Sequence, residues 1–186
     1  RYANLSIVPA TTDLSSADID LVTNDRRSFL LRAALESKDA NRARYDYILI
    51  DCPPSLNILT VNAMVAADSV IVPLQCEFFA LEGLSQLMLT IRDVRQSANP
   101  RLRIEGVLLT MSDRRNNLSQ QVEADARQNL GDLVFKTVIP RNVRLSEAPS
   151  HARSVLDYDE HSAGSRAYQA LAEELAAREQ KLTRKS

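Results

Sequence analysis

Tyr47-Ile48-Leu49-Ile50-Asp51-Cys52-Pro53-Pro54 narrows the choice of fold more than any other stretch of the chain. An uninterrupted apolar run suits a strand buried on both faces, as in a parallel sheet packed between helices. A carboxylate at the end of such a strand lies where open α/β sheets bind their ligands. It can face a hard cation such as Mg²⁺, directly or through water. Pro53 and Pro54 offer no backbone N–H and stiffen the exit from the sheet. The competing reading is a strand-ending Asp that caps the next helix, and the octet alone leaves both open.

A chain of 186 residues is long enough for one well-buried domain and short for two. The expected organisation is one domain over residues 1–182, with 183–186 as a frayed tail. A net charge of -1 excludes a global basic field, so any nucleic-acid contact must come from a local patch. The only lysines are Lys38, Lys136, Lys181 and Lys185, which leaves most of that work to arginine, whose planar fork suits phosphates. Cys52 and Cys76 stand apart from each other and from any histidine cluster, which argues against a metal site or disulfide framework and for a cytoplasmic setting. No apolar stretch approaches the ~20 residues of a membrane span, and no stable membrane association is expected. The chain opens on Arg1 and enters a strand-like run almost at once, as though inside a domain.

Strand-like runs recur at residues 5–9, 47–51, 69–74, 102–111 and 133–139. Between them, helical spacing predicts one or two helices over 14–36 and another over 56–67. Leu84, Leu87, Met88, Ile91 and Val94 share one helical face, as do Leu118, Val122, Ala126 and Leu130. A last helix over 165–182 sets Tyr168, Leu171, Leu175 and Leu182 along one stripe. Strands alternating with helices predict an α/β fold, a mainly parallel sheet with helices on both faces. Such stripes are core, because a helix packed on a sheet needs them whatever its function.

Two further segments turn polar at strand ends, 110–117 with Arg114 and Arg115, and 139–149 with Arg141 and Arg144. In a parallel sheet both emerge on the edge that carries Asp51. Each arginine taken alone is as well read as part of a solvated loop, but several on one edge make a candidate phosphate-binding rim.

These residues carry a family resemblance. Residues 45–56, Tyr-Asp-Tyr-Ile-Leu-Ile-Asp-Cys-Pro-Pro-Ser-Leu, resemble the Walker B and switch II segment of the ParA/Soj partitioning ATPases. Residues 72–83 match a second family segment, and 138–150, from Val138 to Ser150, a signature near its end. Order and spacing agree over nearly the whole chain. The resemblance implies a P-loop NTPase fold of the deviant Walker A type, with ATP and Mg²⁺ held in a homodimer that forms on ATP binding. It implies nonspecific DNA binding, a nucleoid-associated location, and hydrolysis stimulated by a ParB-type protein. By the same resemblance Asp51 holds Mg²⁺ through a water and is the catalytic carboxylate, and Pro53 and Pro54 belong to the switch that senses the γ-phosphate. Met111, Pro140, Arg141 and Asn142 border the adenine, partly through backbone groups. Arg115 and Arg144 match DNA-binding positions, and Gln75 and Glu77 lie near the nucleotide or dimer face.

The chain departs from the family in one large respect. No G-x-x-x-x-G-K-[ST] occurs, and Gly83, Gly106, Gly131 and Gly164 are too scattered to cradle a phosphate together. The first strand and P-loop of the family fold are therefore expected to be missing, as in an N-terminally truncated ParA. Without backbone N–H groups at a helix start and the P-loop lysine, this polypeptide by itself is expected not to hydrolyse ATP. Loss of a central strand also predicts exposed apolar edges and marginal stability. Three other readings compete. A nucleotide-independent DNA-binding module would use Arg115 and Arg144 alone. A MinD-like membrane ATPase would need a basic amphipathic tail. A phosphoacceptor receiver domain would need an acidic pair after its first strand, where Thr11-Thr12-Asp13 stands, and a lysine where Arg141 stands.

Overall fold

The computed structural model describes residues 4–37 and 45–183, and falls into two compact units. One comprises residues 1–68 and 90–102, the other 69–89 and 103–186. Of the expected tail, residues 184–186 lie outside the described residues.

In the first unit, a 3₁₀ turn at Thr12–Ser16 runs into α1, Ala17–Asp20, and a second at Arg27–Phe29 runs into α2, Leu30–Glu36. They are followed by α3, Ile58–Ala66, which matches the expected helix over 56–67. Asn57 caps α3 by accepting from Leu59 N at 3.1 Å and Thr60 N at 3.3 Å, and the Thr60 hydroxyl donates to Ser55 O at 2.6 Å. That pair of contacts satisfies orphan donors and ties the turn after Pro54 to the helix. Two buried asparagines brace the unit. Asn62 Nδ2 donates to Arg27 O at 2.7 Å while its Oδ1 accepts from Leu31 N at 3.2 Å. Asn99 Nδ2 donates to Met64 O and Ala67 O at the end of α3.

Two expected strands of this unit do not form. Residues 5–9 and 47–51 enter no ladder among the described residues. A strand exists only through its neighbour, and here Val8 stays 97% exposed and Leu49 83%. The segments touch through a side chain instead: Tyr45 Oη donates to Ser6 Oγ at 3.2 Å.

The second unit is built on three parallel strands, β1 Ser69–Gln75, β2 Arg103–Ser112 and β3 Val134–Pro140, in the order β1-β2-β3. Each lies within a residue or so of its expected bounds. Between them run α4, Ala80–Ser97, whose second half belongs to the first unit, and α5, Asn117–Leu130. After β3 come the short helices α6, Val143–Glu147, and α7, Val155–Tyr158, and then α8, Ala163–Thr183.

The alternation of side chains sorts the helices between the two faces. Val72, Leu74, Val107, Leu109 and Val134 face Leu84, Leu87 and Met88 of α4 and Ala126 and Leu130 of α5. Leu108, Phe135 and Ile139 face Leu145 of α6 and Ala167, Leu171 and Leu175 of α8. The α/β expectation of a parallel sheet with helices on both faces therefore holds in this unit. Among the stripe members whose side chains are described (Leu182 is left out), Leu118 and Tyr168 fall outside the core and are exposed, because the buried faces centre on Val122 and Ala126 and on Ala167 and Leu171.

Gly106 is required by a close approach. A Cβ there would meet the Phe135 ring at 2.6 Å and Leu133 O at 2.9 Å. Phe135, fully buried, lies over this gap with the Arg178 guanidinium 4.1 Å from its ring centre.

Candidate functional site

Parallel strands deliver their carboxyl ends to one edge, and in the second unit that edge gathers most of the singled-out residues. Gln75 ends β1 opposite Thr110 of β2, and Cys76 N donates to Thr110 O at 3.0 Å, carrying the pairing one residue further. Ser112 pairs with Pro140, and Arg141 N donates to Ser112 O at 2.9 Å. Glu77, Met111, Pro140, Arg141 and Asn142 are thus held along one rim.

The rim is shaped by a bulge. Between the pairs Leu109–Val138 and Ser112–Pro140, β2 carries an extra residue, and Met111 adopts φ 55°. A left-handed conformation in a non-glycine strand residue costs roughly 1–2 kcal/mol and collects at ligand sites. Here it turns the end of β2 at the position that the family resemblance assigns to the adenine border.

Three of the rim arginines, Arg141, Arg115 and Arg144, are paired with carboxylates. Arg141 reaches Glu77 at 3.5 Å, joining the ends of the two outer strands. Asp113 accepts from Arg115 N at 3.0 Å and takes its guanidinium on both oxygens, from Nε at 3.3 Å and Nη2 at 3.4 Å. Those hydrogen bonds hold the Asp113 carboxyl below the usual range and push the Arg115 guanidinium up. Arg144 donates from Nη1 to Glu147 Oε2 at 2.8 Å, and its Nε lies 3.3 Å from Asp159 Oδ2. The Tyr158 hydroxyl donates to the same Glu147 oxygen at 3.3 Å, and its ring stacks on His151. Asn142 and Asn116 accept from the N–H groups of Arg144 and Leu118 and so cap α6 and α5.

Asp51, Pro53 and Pro54 belong to the first unit, in the irregular segment before α3, and are exposed. Burial raises the neighbouring Cys52 thiol, and the Asp51 charge raises it further. The rim that the structure builds thus contains the expected residues of the second unit, whereas Asp51 is part of the first. Sequence reasoning missed the carboxylates on the arginines. Asp113 and Glu147 lie two and three residues from their partners, a spacing that could have flagged them, whereas Asp159 could not have been found so.

Among the described residues no group of histidine, cysteine and acidic side chains is placed to hold a metal by itself, and no helix is long and apolar enough to cross a membrane.

Comparison with known proteins fits this geometry. Residues 1–104 match the family model described as AAA domain. The chain is 62% identical over 175 residues to chromosome partitioning protein ParA of Caulobacter vibrioides, covering 94% of this chain and 65% of that protein. It is 54% identical over 174 residues to sporulation initiation inhibitor protein Soj of Bacillus subtilis, covering 94% and 68%. Among solved structures, cobyrinic acid a,c-diamide synthase of Mycobacterium smegmatis with bound ADP and magnesium superposes with a TM-score of 0.72 at 36% identity, over 89% of this chain and 59% of that one. Apo McdA of Cyanothece superposes at 0.78 with 17% identity, over 90% and 67%, a likeness of fold alone. The chain spans about two thirds of the length of the curated relatives it matches. With its parallel sheet, its rim of strand ends and these identities, the chain belongs to the ParA/Soj family of partitioning ATPases, within the P-loop NTPase fold.

Proposed function

We propose that residues 1–182 are the C-terminal portion of one ParA-like ATPase domain that takes part in DNA segregation. ATP and Mg²⁺ close two copies into a dimer, the dimer binds DNA without sequence preference on the nucleoid, and a ParB-type protein stimulates hydrolysis. The observation that carries this reading is the 62% identity to a chromosome partitioning protein over 94% of the chain.

The residues present fit a nucleotide in part. Asn142 spends its Oδ1 on the α6 cap, so its amide N–H₂ can face a base, and the left-handed Met111 turns the strand end beside it. Pro140 and Arg141 lie beside them on the same rim. Asp51, exposed and without a basic partner among the described residues, suits a hydrated Mg²⁺, with Pro53 and Pro54 stiffening the loop that follows. What these residues lack is a phosphate cradle, because no glycine-rich lysine loop occurs in the sequence. Charge neutralisation on the transferring phosphoryl group therefore needs elements beyond these residues, and the polypeptide alone does not turn over ATP.

For DNA, Arg115, in the turn before α5, and Arg144, in α6, grip phosphates at the rim. Nonspecific binding needs only such contacts. Pairing two copies doubles the local positive surface, which makes affinity depend on the nucleotide that closes the dimer.

The test uses the full-length gene product and linear duplex DNA of arbitrary sequence. Binding is expected with ATP and Mg²⁺, and to be lost with ADP or in Asp51→Ala. Equal binding with ATP, ADP and no nucleotide would replace this reading with the nucleotide-independent DNA-binding module.

A further inference from the structure

Arg115 and Arg144 share an arrangement that DNA binding alone does not require. Each guanidinium is already engaged by carboxylates of its own chain. Asp113 occupies the Nε–Nη2 fork of Arg115, the edge that a phosphate would take, while that side chain is otherwise 91% exposed. Arg144 is divided between Glu147, at the end of α6, and Asp159, just after α7. Two segments remote in sequence thus carry the same motif.

We propose that Asp113, Glu147 and Asp159 are a built-in brake on DNA binding: they occupy the phosphate-gripping arginines in the single copy and are exchanged for DNA phosphates only when two copies act together. This rests on the DNA-binding reading of Arg115 and Arg144 and concerns how that same site is regulated.

At Arg115 the distances favour exchange over a permanent lock, whereas Glu147 holds Arg144 more closely, at 2.8 Å. Asp113 contacts Arg115 at 3.3 and 3.4 Å, beyond the 2.7–2.9 Å of a strong charge-assisted bond, and both partners meet water. Exposed pairs of this kind contribute little, so a phosphate displaces them readily. The displaced carboxylate then stands beside the DNA backbone and repels it, which lowers the net gain from each arginine. One copy with few such weakened grips stays below the threshold for binding. A dimer with twice as many exceeds it, because the second set engages at high effective concentration. The carboxylates also keep each guanidinium extended at the rim, so release needs no long search by the side chain.

The test neutralises the carboxylates in the full-length gene product as Asp113→Asn, Glu147→Gln and Asp159→Asn, singly and together. DNA affinity is measured with ATP, with ADP and without nucleotide over a range of salt. Each single change is expected to tighten ATP-state binding about two- to fivefold, and the triple variant to bind DNA measurably without ATP. Asp113→Glu restores parent behaviour. Should Glu147→Gln fail to fold, because it also alters the bond from the Tyr158 hydroxyl, Asp113→Asn on its exposed loop decides alone. Unchanged or weaker DNA binding in the neutralised variants would overturn the brake. Parent-like DNA binding by Arg115→Ala and Arg144→Ala would show instead that the DNA reading itself is wrong, and the brake falls with it.

Discussion

Glu174 and Arg178, one turn apart on α8, bind backbone groups at and beside a bulge in β3. Between the pairs Val107–Val134 and Leu109–Val138, β3 carries extra residues. Glu174 accepts from Lys136 N and Thr137 N, each at 2.8 Å. Arg178 donates to Glu105 O and Val134 O, each at 3.1 Å, and to Glu174 at 3.0 Å. Glu174→Ala leaves two strand donors without partners and is expected to cost about 2–3 kcal/mol. The urea midpoint of the full-length protein checks this, with the solvent-facing Glu173→Ala as a control near zero.

The same carboxylate gives stability an acid limb. Burial raises the Glu174 carboxyl, but its bonds from Lys136, Thr137 and Arg178 outweigh burial and hold it below the usual glutamate range. A depressed folded value contributes stability that is present above the unfolded value, about 4.3, and is lost as pH falls through the folded one. Urea midpoints measured from pH 7 down to pH 3 should fall more gently in Glu174→Gln than in the parent.

Gly106→Ala is expected to destabilise by about 1–3 kcal/mol, because the new methyl group meets the Phe135 ring and Leu133 O. Phe135 is fully buried with the Arg178 guanidinium 4.1 Å from its ring centre, so it cannot simply swing away. A lowered melting temperature, with the helical circular dichroism retained below it, is the readout.

Met111 separates backbone strain from side-chain chemistry. Met111→Val, a β-branched residue forced to positive φ, should cost about 1–3 kcal/mol, whereas Met111→Leu should cost under about 1.5 kcal/mol. If Met111 borders the base, Met111→Val also weakens nucleotide binding beyond its loss of stability, as fluorescent ADP titration would read.

The second unit was legible in the sequence because its strands are buried apolar runs with turn residues at their ends. Val72, Val107 and Val134 are in the core for the reason that the pattern suggests. Residues 5–9 and 47–51 carry the same composition yet form no ladder, since composition records a willingness to be a strand and pairing supplies the rest. Tyr168 shows a smaller failure: one residue is about 100° on a helix, enough to move it from the core to solvent. The rim followed from parallel topology alone. The left-handed Met111 did not, because methionine has no leaning toward that conformation. The Glu174–Arg178 spacing reads in sequence as a surface pair, and only the bulge in β3 turns it inward.

The salt dependence of DNA binding by the full-length protein with ATP and Mg²⁺ is the measurement on which the rim stands or falls. Arg115→Ala and Arg144→Ala should each weaken binding on every sequence alike and lower the slope of log K against log salt by about one for each phosphate no longer neutralised. A double variant that keeps the parent's affinity and slope would contradict the rim as a DNA-binding surface.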